Sequence, residues 1–339
     1  MNDKVYETTV IGGGSAGIMA ALRSVLNNDE TLFFPGNQKD KKKSRAMWVR
    51  KVENIPGFLD FKQGINNPNK QAYDYLSQEK YSHTFFPQKN IGITNIEKGE
   101  DGIFNLTDSS GNNWRTKYVI LTTGMMDVQP FIENDIRAIF PFANSQAIEY
   151  CVRCDGHHTN DNEIAVIGHT SSAAWVAIMI NERYKIPNLT IMTNGKTPEF
   201  DQETKELIEL YQINVETKEI VDFLGDKKEG ILEGFILDDG SIVHAQNAFV
   251  SLGVIVYNEL ALQLNAEVDK RGFVVTNEKG QSSIENFYIA GDLRAGIKKQ
   301  IYTAWDSAVD SADDINAKIR RERRQKQLLE FREKKGDNN

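Results

Sequence analysis

Val5-Tyr6-Glu7-Thr8-Thr9-Val10-Ile11 runs without a break into Gly12-Gly13-Gly14-Ser15-Ala16-Gly17, and this join decides how the rest of the chain is read. The first run has the short, β-branched, apolar character of a strand, and residues 18–26 beyond the glycines read as a helix. The spacing of Gly12, Gly14 and Gly17 suits a dinucleotide fold, which needs a tight turn, a close backbone approach to a pyrophosphate, and close helix-to-strand packing. A glycine triplet alone is a weak signal and can be a structural turn. Placed between a strand and a helix, it predicts a nucleotide site whose phosphate charge rests on the helix N-terminus.

Outward from that join, Thr31–Phe34 reads as the next strand and ends in Pro35-Gly36. An acidic residue would ordinarily take the ribose hydroxyls there. None is present, so backbone groups, Asn37 or Gln38 are expected to do so. The basic residues 39–43 and Arg45 read as a solvated loop. Residues 163–167 and the helical stretch through Ile180 form a second strand-turn-helix around Gly168-His169-Thr170-Ser171-Ser172-Ala173. Thr170 stands where a second glycine would be, which keeps the backbone away from a pyrophosphate. Leu189–Met192 is a further strand leading into Thr193-Asn194-Gly195-Lys196. Residues 232–244 read as a hairpin turning at Asp239-Gly240. Residues 118–121 and 249–252 read as buried strands, and 286–292 as a strand ending in Gly291-Asp292. A carboxylate at that end of a strand is placed to accept hydrogen bonds from sugar hydroxyls, and the alternative for Asp292 is a helix cap.

The only two cysteines lie in Tyr150-Cys151-Val152-Arg153-Cys154-Asp155-Gly156-His157-His158. Two cysteines scattered at random over a chain of this length would fall three apart in roughly two cases in three hundred, so the spacing calls for a chemical reason. A C-x-x-C pair can close a small disulfide ring and reopen it, one thiolate attacking and the other resolving. Asp155 beside the second sulfur then reads as a proton donor or acceptor. Two other readings stay open: an inert core pair, and a zinc site of Cys151, Cys154 and His157 or His158.

A chain of 339 residues is too long for one small core, so two domains are expected. A net charge of -8 argues against nucleic acid as a partner. No apolar run is long enough to span a bilayer, and the amino terminus has no hydrophobic leader, so a cytoplasmic protein is expected. In that compartment a disulfide would be transient and catalytic. Residues 317–339, with Arg320, Arg321, Arg323 and Arg324, read as a charged, solvated helix and tail.

The glycine triplet, Val52-Glu53-Asn54-Ile55-Pro56-Gly57-Phe58, the C-x-x-C-D-G stretch, Ala290-Gly291-Asp292 and Lys299-Gln300 occur in the order seen in low-molecular-weight thioredoxin reductases, which the chain resembles to about Ile315. The resemblance implies an α/β fold with two Rossmann-like dinucleotide-binding domains, the FAD domain being discontinuous. Residues 1–126 and 245–316 would form that domain, and residues 127–244 an inserted NADPH-type domain carrying the dithiol. It implies FAD at Gly12, Gly14, Gly17, Asn54, Gly124, Asp292, Lys299 and Gln300, and a homodimer. It also implies a disulfide reductase acting on a thioredoxin-like protein: Cys154 faces the flavin, Cys151 attacks the substrate, and Asp155 is the acid/base. No metal belongs to that scheme.

Where NADPH-dependent members carry a His-Arg-Arg cluster, this chain has Thr193-Asn194-Gly195 and the single charge of Lys196. With Thr170, this departure leads to the expectation of another donor, either ferredoxin or a second flavin. A non-enzymatic redox sensor or zinc-binding module on a flavoprotein scaffold is the competing expectation.

Overall fold

The computed structural model describes residues 4–37, 43–59, 61, 64–132 and 135–336. Gln38 and residues 39–42 of the basic run fall outside the described residues. The chain divides into two compact units, one of residues 1–43, 68–125 and 256–339, the other of 44–67 and 126–255.

The first unit is built on a seven-stranded sheet. Val5–Ile11 lies between Thr31–Phe34 and Asn113–Leu121, parallel to both, and Phe85–Pro87 extends the sheet beyond Thr31–Phe34. Besides Val5–Ile11, Asn113–Leu121 serves two further neighbours along its length. Its first half pairs antiparallel with Phe104–Asp108, and its last residues pair parallel with Phe287–Ile289. Side chains alternate between two cores. Val10, Phe33, Ile120 and Tyr288 face one, while Ile11, Leu32, Phe34, Val119, Leu121, Phe287 and Ile289 face the other. Burial on both faces explains why these strands read as unbroken apolar runs.

Helix Ser15–Leu26 and helix Ile301–Gly336 cover the first of these cores. Ala304, Ala308 and Ala312 repeat every fourth residue, so small side chains form the stripe that the long helix buries. Arg23 and Asn27 donate to Asp313 across the helix pair. The charged segment expected from residue 317 is a continuation of this same helix, exposed almost throughout beyond Ile319.

Asn316 also donates to Asp29, a fully buried carboxylate whose other oxygen has no partner among the described residues. Burial lifts this carboxyl from 3.8 to about 6. The folded protein therefore holds the proton more tightly than the unfolded chain, and the associated stability is full below about pH 4 and lost as pH rises through about 6. Asp29→Asn keeps an acceptor for Asn316 and removes the charge, so it should stabilise the protein by about 1 to 3 kcal/mol near pH 8 and by almost nothing near pH 4. Denaturation midpoints at the two pH values are the measurement. An equal difference at both would remove ionisation as the cause.

The second unit has a five-stranded, all-parallel sheet in the order Asn214–Glu216, Leu189–Met192, Ile164–Ile167, Asn247–Val250, Ile148–Glu149. Helix Ser171–Tyr184 covers the face bearing Ile164, Val166, Ile191 and Phe249. Ile220–Asp226, Ile231–Leu237 and Ile242–His244 form an antiparallel sheet over the other face. The expected hairpin is there, with Gly240 at φ +81° in its turn.

Two expectations need correction. The strand around Phe249 pairs with Ile164–Ile167 inside the second unit, and the chain returns to the first unit only at Val254–Val256. Its apolar run shows burial on two faces but not which sheet provides them. Residues 44–67 also pack in the second unit. Trp48 stacks on Phe140 at 5.6 Å, and Arg45 pairs with Asp127. Neither partner is visible from local sequence.

Candidate functional site

Parallel pairing of Val5–Ile11, Asn113–Leu121 and Phe287–Ile289 delivers three loops to one carboxyl edge of the first unit's sheet. In the first loop Gly12 has φ +120°, and a Cβ there would lie 2.5 Å from the Thr122 carbonyl oxygen. A Cβ on Gly17 would lie 1.8 Å from the Gly12 carbonyl oxygen, so this glycine allows the helix to rest on the loop. Gly14 differs from both. A Cβ there meets nothing within 4 Å, and Gly14 opens helix Ser15–Leu26 without a side-chain cap or an acidic residue in the first turn. Two glycines are thus required by the protein's own packing, and the third borders open space at an uncapped helix end.

The second loop is Thr122-Thr123-Gly124. Thr122 Oγ1 donates to the Ile11 and Gly12 carbonyls, and Thr123 Oγ1 donates to the Tyr257 carbonyl at 2.6 Å. Gly124 has φ +69° and open space on its Cβ side. The third loop carries Asp292. A Cβ on Gly291 would lie 2.7 Å from Ala16 Cβ, which puts this loop against the start of the first helix. Asp292 sits inside the 3-10 turn Gly291–Leu293, whose N-cap is Ala290. Lys299 Nζ donates to the Asp292 and Arg294 carbonyls and lies 3.8 Å from the Phe273 ring centroid, and burial lowers its ammonium to about 8. Gln300 accepts from the Ala304 amide at the opening of the long helix.

Gly12, Gly14, Gly17, Gly124, Asp292 and Lys299 therefore surround one edge of one sheet. An open glycine at an uncapped helix end, with a carboxylate on the neighbouring strand end, fits the pyrophosphate and polyol parts of a flavin dinucleotide. Asn54, expected with these residues, belongs to the second unit.

The second unit's strand-turn-helix differs in one respect that sequence did not reveal. A Cβ on Gly168 would lie 2.4 Å from the Ser251 carbonyl oxygen, so this glycine is a packing residue. The next turn is filled by the chain itself. Thr170 bridges to Glu199, the Ser171 amide donates to the Glu199 carbonyl at 3.2 Å, the Glu199 amide donates to the His169 carbonyl, and the Asp201 amide donates to Ser171 Oγ. Lys196 is exposed on a turn closed by Thr193.

Ile148–Glu149 leads through Tyr150 to the dithiol. Cys151 and Cys154 are joined in a disulfide, with Cα atoms 5.3 Å apart, at the start of the short helix Val152–Asp155. The Cys154 and Asp155 amides both donate to the Cys151 carbonyl at 3.0 Å. Each cysteine is half-buried, while Asp155 is only 7% exposed, and burial raises its carboxyl to about 6. Bonded to each other here, the sulfurs present no free thiolate. The histidines turn elsewhere. His158 bridges Glu149 through Nδ1 at 2.5 Å and Glu53 through Nε2 at 2.6 Å, and His157 Nε2 reaches the same Glu53 oxygen at 2.9 Å. Hydrogen bonds to the two carboxylates raise His158 to about 9. Glu149 drew no attention in the sequence and Glu53 only as part of the Val52–Phe58 motif, because 9 and 104 residues separate them from their partners.

These two sites, an open glycine loop at a helix start and a C-x-x-C disulfide, define a class. The chain belongs to the pyridine nucleotide-disulphide oxidoreductase family, whose model matches residues 6–312. Within that family it is thioredoxin reductase-like, an oxidoreductase whose cofactor is FAD. It is 24% identical to the thioredoxin reductase of Mycoplasma genitalium over 323 residues, covering 92% of this chain and 96% of that one. It is 24% identical to that of Treponema pallidum over 314 residues, covering 88% and 92%. The thioredoxin reductase structure from Streptococcus pyogenes superposes with a TM-score of 0.77 at 18% identity, covering 93% of this chain and 98% of that one, and so shares the fold. Among the described residues, no helix is long and apolar enough to cross a membrane.

Proposed function

We propose that this protein reduces the disulfide of a thioredoxin-like protein through Cys151 and Cys154, and that its electrons come from a donor other than NADPH, either ferredoxin or a second flavin. The observation that carries the reading is the half-buried Cys151–Cys154 disulfide beside the buried Asp155. FAD, when bound, supplies the two electrons that reopen this disulfide. Gly12, Gly14, Gly17, Gly124, Asp292, Lys299 and Gln300 would hold it. Cys154 would take up the electrons from the flavin, and Cys151 would meet the substrate. The Cys151 thiolate attacks the substrate disulfide and forms a mixed disulfide. Cys154 then displaces the substrate's second thiol, restoring the Cys151–Cys154 bond. Asp155 exchanges the proton that each thiol must lose or gain. The protein works as a cytoplasmic homodimer.

The transfer is tested without choosing a donor. Protein bleached anaerobically with dithionite and then mixed with an oxidised thioredoxin-like protein should regain its colour as substrate thiols appear. Recolouring without substrate thiols would overturn the reading.

The cradle is tested by Gly14→Phe. Because a side chain at Gly14 meets none of the protein's own atoms, the variant should fold with an unchanged circular dichroism spectrum and yet be colourless, the ring standing where the pyrophosphate lies. A yellow Gly14→Phe protein would remove this loop from the FAD site.

A further inference from the structure

We propose that Glu53, His157 and His158 form a binding site for a divalent transition-metal cation, zinc by the nature of the donors. One carboxylate oxygen and one ring nitrogen from each histidine lie within 4.8 Å of one another. Both Nε2 atoms converge on the same oxygen, Glu53 Oε2, at 2.9 and 2.6 Å. Two ligand atoms on a tetrahedral zinc ion stand about 3.3 Å apart, given bonds of about 2.0 to 2.1 Å. The two nitrogen-to-oxygen distances thus need to open by less than about 1 Å for an ion to enter, replacing the protons these atoms now share.

Glu149 is the second observation. It is 3% exposed, and its Oε1 holds His158 Nδ1 at 2.5 Å. A carboxylate on Nδ1 fixes the tautomer that leaves Nε2 free for a metal, the arrangement found behind most ligating histidines. Its other oxygen, Oε2, is buried without a partner among the described residues. Two imidazoles and a carboxylate suit zinc and similar ions, whereas magnesium and calcium take oxygen ligands. The half-exposed side chain of His157 leaves the fourth coordination position open to water. All four residues lie in the second unit, so the ion would pin the segment carrying Glu53 to the 3-10 turn Gly156–Thr159 directly behind the dithiol.

The site is independent of the cysteines, which in the oxidised protein bind each other. The test is a calorimetric titration of oxidised, FAD-loaded full-length protein with zinc chloride after dialysis against a chelator, with bound metal counted by emission spectrometry. One zinc per chain is expected. Glu149→Gln should weaken binding by about 10- to 100-fold, the usual effect of losing an outer carboxylate, and His157→Ala and Glu53→Gln by at least as much. Replacing both cysteines with serine should leave binding unchanged. His157 is exposed, so its variant should keep the parent's melting temperature without metal and lose the rise that zinc gives the parent. No stoichiometric binding, binding that survives both His157→Ala and Glu53→Gln, or binding lost with the cysteines would overturn the site.

Discussion

Cys151→Ser protein is expected to purify yellow and to have lost disulfide turnover by about ten-thousandfold or more, the scale of removing a covalent nucleophile. Transfer to the substrate needs both sulfurs in sequence, one to attack and one to resolve, and serine cannot do the first at neutral pH. The remaining Cys154 cannot close the ring that returns the enzyme to its starting state. Flavin should stay bound because the cradle of Gly12, Gly14 and Asp292 owes nothing to this side chain. Cys154→Ser should separate the roles, since it keeps the attacking sulfur and should trap substrate as a stable mixed disulfide visible by mass. Thiol release from a thioredoxin-like substrate, measured beside the flavin spectrum, is the assay. Turnover at the parent's rate would remove Cys151 from the mechanism.

What the sequence disclosed and what it hid follow from the range of the interactions. Val5–Ile11, Thr31–Phe34 and Leu189–Met192 were legible as strands because burial on both faces leaves a continuous apolar run. Gly12, Gly14 and Gly17 were legible as a spaced set between a strand and a helix, whereas the contact that bars a Cβ from Gly12 is with Thr122, 110 residues away. Helix Ser15–Leu26 begins three residues before the expected stretch, at the residue following Gly14, since glycine loops hide the first turn. Phe249–Leu252 was read as a buried strand of the first unit, whereas the strand runs over Asn247–Val250 and pairs with Ile164–Ile167, because periodicity reports burial and not the neighbouring strand. Trp48 on Phe140 and Glu53 on the two histidines join residues about a hundred positions apart, and no pattern within a window of residues can register such contacts.

NADPH is expected to be a poor reductant of this protein's flavin, bound roughly a hundredfold or more weakly than at a site with both phosphate contacts intact. The motivation is the second unit's strand-turn-helix, where two groups a dinucleotide phosphate would use are altered or engaged. Thr170 replaces the glycine that would let the backbone approach, and the Ser171 amide at the start of helix Ser171–Tyr184 donates to the Glu199 carbonyl. A phosphate would have to displace that carbonyl, exchanging one hydrogen bond for another. At the far end of the site, Lys196 offers a point charge on an exposed turn, without the planar fork an arginine gives a 2′-phosphate. Charge-assisted hydrogen bonds are worth about 1.5 to 3 kcal/mol each, so losing two weakens binding by roughly a hundredfold or more. Anaerobic titrations with NADPH, NADH and reduced ferredoxin, following flavin bleaching, compare the donors directly. Fast bleaching at micromolar NADPH would return the chain to NADPH-dependent enzymes, whereas slow bleaching by both nicotinamides beside fast bleaching by ferredoxin is the expected pattern. Introducing arginines at Asn194 and Gly195 together with Thr170→Gly should then improve the NADPH rate in steps, because each change restores one of the lost phosphate contacts.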